Sequence, residues 1–105
     1  MNQQVMMRKL MKMKQEMEQT QEEIQSTEFE ASAGGIVTVT VMGTKEIAKI
    51  EIDEDFEVES KEDLEMLADT IVAACNTAYK DIEKTTEEKM AKYQALLGGF
   101  GGGLF

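Results

Sequence analysis

The sequence predicts an α+β protein of one helix, a three-stranded antiparallel sheet and one long C-terminal helix (α-β-β-β-α), dimeric, with protruding helical arms. Three observations predict it. Apolar residues recur at helical spacing through the first quarter of the chain, and the period then drops to two across residues 28–52 between glycine turns. A second helical stripe over residues 61–97 is about 54 Å long at 1.5 Å per residue. That is longer than the body a chain of 105 residues can build, so its second half has to project.

The first helix is expected over residues 4–26. Met6, Leu10, Met13, Met17 and Ile24 follow four-three-four-seven spacing and fall in one stripe, with Thr20 at the missing position. Gln, Glu, Lys and Met fill the rest, all good helix formers, with no Gly or Pro among them. Met7 and Met11 widen the apolar surface sideways, while Arg8 and Lys12 fall opposite Leu10. Such a methionine-rich stripe favours packing against its own chain or a dimer mate over a peptide groove.

Strands are expected at 28–33, 36–42 and 46–52. Gly34-Gly35 suits a two-residue hairpin with positive φ, and Gly43-Thr44-Lys45 makes a longer second turn. Val37, Val39 and Val41 point to one face, and Ile36, Thr38, Thr40 and Met42 to the other. A sheet apolar on both faces needs two covers, one of them a second subunit. Val37, Val39, Val41, Ile50 and Ile52 are the expected dimer interface, with the sheet pattern leaving open which face forms it. Ser60 and Asp63 resemble a capping box opening the second helix, whose stripe runs Leu64, Leu67, Ile71, Ala74, Cys75, Ala78, Ile82, Tyr93 and Leu96 until Gly98-Gly99 ends it. Residues 1–97 thus form one domain. The tail 98–105 is expected to be disordered because glycine loses the most backbone entropy on ordering, with Phe100, Leu104 and Phe105 as possible anchors for a partner.

Composition excludes several function classes. One cysteine and no histidine leave no intrachain disulfide and no Cys/His metal cluster. Asp53, Asp55 and Glu57 have one-three-five spacing, but Val58 stands where a calcium loop needs glycine. No metal site and no cofactor is expected. Cys75, among Val72, Ala73, Ala74 and Ala78, reads as a small core hydrophobe. No nucleophile, base and orienting group can be assembled, so the chain is not expected to be an enzyme. The absence of a signal-peptide core and of any membrane-length apolar run points to the cytoplasm and to no membrane partner.

The formal charge of −10 argues against a polyanion partner until its distribution is considered. Arg8, Lys9, Lys12 and Lys14 precede the first acidic residue, and Lys80, Lys84, Lys89 and Lys92 lie on the projecting part of the second helix. If the two helices run antiparallel, their far ends pool these cations while the acids gather at 16–30 and 51–69. Basic tips contact phosphates with little sequence information.

The chain resembles the YbaB/EbfC nucleoid-associated proteins of bacteria over nearly its whole length. The resemblance rests on RKLMKMKQEMEQTQEEI, GGIVTVTVMGTKEIAKIEID with its Gly43, LEMLADTIVAACNTAYKDIEK and EKMAKYQALLGGFGGGLF, in that order and spacing. It implies a homodimer through the sheet region with paired helices as tweezer-like arms. It also implies binding of double-stranded DNA without catalysis, in the nucleoid, with a role in nucleoid organisation or gene regulation. Arg8, Lys9, Lys12 and Lys14 are then the expected contacts, with Lys89 and Lys92 behind them. The acidic run Glu54-Asp55-Phe56-Glu57 departs from the family's pattern. A genomic association with recombination-mediator proteins is common in the family. A protein-interaction module acting with recombination or repair proteins, with little DNA affinity of its own, is the competing expectation.

Overall fold

The structure, a computed structural model, describes residues 2–99. In chain order it holds α1 (Gln3–Ser26), β1 (Glu28–Ala33), β2 (Val37–Met42), β3 (Ile47–Ile52) and α2 (Lys61–Gly99). The molecule is a rod of 71 × 22 × 16 Å. Its body is the sheet β1-β2-β3 with the first half of α2 laid over β1 and β2. Its arm is the rest of α2 with α1 running back along it.

Both helices begin on side-chain caps. Asn2 Oδ1 accepts from the Val5 amide at 2.8 Å, and Ser60 Oγ accepts from the Asp63 amide at 3.1 Å. The Asp63 carboxylate accepts in turn from the Glu59 amide at 3.0 Å, one residue further back than a capping box reaches. α2 does not stop at Gly98-Gly99 but runs through both to Gly99. The expected disorder of Phe100 to Phe105, and their use as anchors, lie outside the described residues.

The first hairpin is one residue longer than expected. Gly34 and Gly35 take φ of 60° and 70°, and the Ile36 amide donates to the Ala33 carbonyl. The ladder, however, pairs Ala33 with Val37 and leaves Ile36 in the loop. That extra residue sets the parity of the sheet. With Ile36 opposite Ala33, Ala31 would face Thr38; with Val37 there, Phe29, Ala31 and Ala33 share the valine face. The second turn needs Gly43 for space. A Cβ there would fall 1.7 Å from the Ile24 carbonyl oxygen and 2.9 Å from Gln25 Cα, where the end of α1 crosses the turn. The Gly43 amide donates to the Thr27 carbonyl at 3.0 Å and locks that crossing.

The core is Ala31, Val37, Val39 and Val41 from the sheet against Ala74, Cys75, Ala78 and Ile82 from α2. Cys75 is buried there as a core residue. Val37, Val39 and Val41, 2%, 0% and 0% exposed, are covered by α2 of their own chain and have no surface left to offer a partner. The opposite face also departs from expectation: Thr38 and Thr40 pair with Ser32, Glu30, Glu51 and Lys49, which makes it a polar surface without need of a second cover.

The apolar surface left open is β3 on the valine side. Its register sets Ile52, Ile50 and Ile47 opposite Val37, Val39 and Val41 on the same face. Ile47 and Ile50 are three residues apart, and an irregularity at Thr40/Val41 leaves Ala48 unpaired and brings both to one side. α2 stops short of this strand, all six residues of β3 are exposed, and the three isoleucines keep 42–45% of their surface.

Candidate nucleic-acid interface

The arm is built from the stripe in α1. Met13 and Ile24 are buried, and Met6, Leu10, Met17 and Thr20 are half-buried along the same line against α2. Across the seam Tyr93 is 2% exposed, and its hydroxyl lies 3.3 Å from Thr20 Oγ1. The break at Thr20 is therefore the partner of the one aromatic in the arm's interior. Met90 and Leu97 take the inner positions of α2 beside Tyr93, while Leu96 and Leu64 are about half exposed and lie outside the packed stripe.

These contacts fix the antiparallel offset of the helices. Leu96 shares a groove with Lys9, Lys12, Met13 and Glu16. Lys89 and Lys92 share another with Thr20, Glu23 and Glu88. The expected cations therefore divide into two groups rather than one. Arg8, Lys9 and Lys12 occupy the last turns of the arm, on one side of the α1 stripe, with Lys14 on its other flank. Lys89 and Lys92 stand opposite α1 residues 8–11 positions beyond Lys12, roughly 12–16 Å back along the arm, beside two carboxylates.

None of the 21 acidic residues falls within residues 3–14 or 89–99. Arg8, Lys9, Lys12, Lys14, Lys89 and Lys92 are all exposed, and the ion pairs formed among the described residues, Lys45–Glu83 and Lys49–Glu51, involve none of them. Lys92 Nζ lies 4.9 Å from the centre of the Tyr93 ring, a cation–π contact that holds its stem against the arm. The first turn of α1 carries no acidic residue, so the positive end of its dipole adds to the tip charge. No group of three or more metal-ligating side chains occurs among the described residues, nor is any helix there long and apolar enough to cross a membrane.

The fold is that of an elongated α+β protein, a small sheet-and-helix body carrying a slender two-helix arm whose described end segments hold cations and no carboxylate. The sequence pattern of the YbaB/EbfC DNA-binding family matches residues 1–97, and the chain belongs to that family. A nucleoid-associated protein of Lachnospira eligens is 48% identical over 86 residues, which are 81% of this chain and 72% of that one. One of Agathobacter rectalis is 42% identical over 104 residues, covering 94% and 88%. The fold matches the crystal structure of an uncharacterized Helicobacter pylori protein at a TM-score of 0.66 and 27% identity, covering 91% of this chain and 98% of that one.

Sequence reasoning missed the Thr20–Tyr93 pairing, which periodicity registers only as an interruption. It also missed the openness of β3, which depends on where α2 lies and not on the strand's own pattern.

Proposed function

We propose that this protein is a homodimeric nucleoid-associated protein that binds double-stranded DNA through its arm tips, acting in the cytoplasm on the nucleoid as an organiser or a regulator of genes. The observation that carries the reading is the segregation of charge: a chain of formal charge −10 keeps every carboxylate out of the arm's end segments. Cations that form no ion pair among the described residues can release counterions from DNA, and base edges are not needed for that. Arg8, Lys9, Lys12 and Lys14 are the primary contacts. Lys89 and Lys92 are secondary because Glu23 and Glu88 stand beside them. No step of this function involves a covalent change in the DNA.

The dimer contact is the open flank of β3. Tyr79 Oη donates to the Lys45 carbonyl at 3.3 Å, so this side of α2 faces the β2–β3 turn, and Val72, two helical turns before Tyr79, lies on the same side and is 58% exposed. Ile47, Ile50, Ile52 and Val72 form one apolar strip. Burying the remaining half of each isoleucine contributes about 1 kcal/mol, and a twofold contact counts each residue twice.

Fluorescence anisotropy of a labelled duplex, titrated across a range of salt concentrations, tests the DNA reading. Four tip contacts per arm give a slope of log K against log salt of about −3.6 for each engaged arm. Reversing Arg8, Lys9, Lys12 and Lys14 to Glu abolishes the binding. A wild-type protein that leaves the duplex free even at low salt would refute this reading and turn attention to a recombination or repair protein as the partner.

A further inference from the structure

A second surface on the body complements the arm tip. Between the β1–β2 hairpin and the first turns of α2 runs a groove of about 440 Å³, with Ala33, Met66 and Ala73 among its lining residues and Glu62, Glu65 and Asp69 along its rim. The two rows are set by helix phase: Met66 and Ala73 are seven residues apart on one line, and the three carboxylates follow the adjacent line. Met66 is 47% exposed, and none of the three carboxylates has an ion-pair partner among the described residues. Among the described residues nothing fills the groove or neutralises its rim.

The arm tip carries the matching pattern. Met7 and Met11, 57% and 62% exposed, lie one turn apart on the face of α1 turned away from α2. Arg8 and Lys12 run beside them one turn apart, and Lys14 borders them on the other side. Laid along the groove, this face sets methionines against Met66 and Ala73, and cations against Glu62, Glu65 and Asp69. That is recognition of an amphipathic helix by an apolar groove with a charged rim.

We infer that the groove of one copy receives the arm tip of another, so that the protein links head to tail through its own α1. A chain cannot fill its own groove with its own tip, because the arm points away from the body along a 71 Å rod. The same length keeps the two acidic bodies apart on docking. Their repulsion is screened over about 10 Å at 0.1 M salt, whereas the docked charges are in contact. The contact is heterologous: the docked pair keeps one free tip and one free groove, so it propagates into open chains instead of closing. It requires neither DNA nor the β3 interface. Because duplex and groove take the same cations, DNA and self-linkage exclude each other at any one tip.

Sedimentation velocity tests this at protein concentrations from about 10 to about 500 µM. In about 50 mM salt the wild type is expected to show an average mass rising with concentration above the species present at about 500 mM salt. Glu62→Lys/Glu65→Lys/Asp69→Lys is expected to stay at the high-salt species, as is Arg8→Glu/Lys12→Glu. An equimolar mixture of the two is expected to associate, because the intact tip of one meets the intact groove of the other. All five positions are exposed, and circular dichroism verifies that the variants fold. A wild type with constant mass at low salt overturns the inference, as does a groove variant that associates like the wild type. Neither result bears on DNA affinity, which the anisotropy measurement reads separately.

Discussion

Thr20 and Tyr93, 73 residues apart in the chain, place their hydroxyls 3.3 Å from each other inside the arm. The Tyr93 ring is almost fully buried, and the pair sits where the hydrophobic stripe of α1 is interrupted. Removing one hydroxyl strands the other in a partly buried seam, whereas removing both leaves nothing unsatisfied. Tyr93→Phe is therefore expected to cost about 1 kcal/mol, and Thr20→Val/Tyr93→Phe to recover most of that loss. Tyr93→Ala, which empties the seam, is expected to cost about 3–5 kcal/mol. Urea unfolding of Thr20→Val, Tyr93→Phe and the double variant, analysed as a double-mutant cycle, checks the coupling; additive losses would show that the hydroxyls do not interact.

Gly43 is the narrowest point between arm and body. Any side chain there meets backbone, which cannot rotate aside. Gly43→Ala is expected to destabilise by about 3 kcal/mol, at the upper end of overpacking costs. Gly35, with open space around it, is expected to tolerate alanine better, its cost being only the positive φ, about 1 kcal/mol. Thermal melts of the two variants give the comparison, and equal losses would contradict it.

The two apolar rows on one sheet face are expected to respond differently to charge. Ile50→Asp/Ile52→Asp alters the open flank and is expected to yield folded protein that light scattering reports as a monomer. Val39→Asp buries an unpaired carboxylate under α2 and is expected to abolish folding. A dimer that survives the isoleucine changes would move the interface away from β3.

Within the arm, position along the rod is expected to grade DNA affinity. Lys89→Glu/Lys92→Glu removes charges that already have acidic neighbours, and is expected to weaken duplex binding several-fold less than Arg8→Glu/Lys12→Glu. Parallel anisotropy titrations at one salt concentration rank them. The reverse order would place the contact on the flank of the arm.

Ser60→Ala removes the acceptor at the start of α2 and is expected to cost about 1 kcal/mol, with Ser60→Gly costing less. Urea midpoints of the two variants check this, and an unchanged midpoint for alanine would mean that Asp63 alone holds the helix start.

Local pattern carried most of the fold. The stripe from Met6 to Ile24, the alternation from Val37 to Val41 and the run from Leu67 to Ile82 each identify an element because one face of it is buried against a neighbour. What the pattern could not show is relative placement. Val39 and Ile50 both read as residues of the dimer interface, and only the position of α2 separates a core valine from an open isoleucine. The hairpin parity was hidden for a similar reason, since Gly34-Gly35 permits a loop of two or three residues and the choice is made by which faces must align. Among the site residues, Arg8, Lys9 and Lys12 are placed by their nearness to the chain start. The setback of Lys89 and Lys92 follows from the offset that Thr20 and Tyr93 impose, which no spacing within either helix contains.

α2 runs from the sheet to the arm's end as one uninterrupted helix, with no proline and no glycine before Gly98. It therefore acts as a lever without a joint. From Ala78 to Gly99 it extends about 32 Å, so turning it there by 10° carries the far end sideways by about 5–6 Å, more than the rise of one DNA base pair. Where the arm points is decided at its fulcrum, among Ala74, Ala78 and the valines beneath them. Repacking those small residues would re-aim the arm without altering a single charge on it.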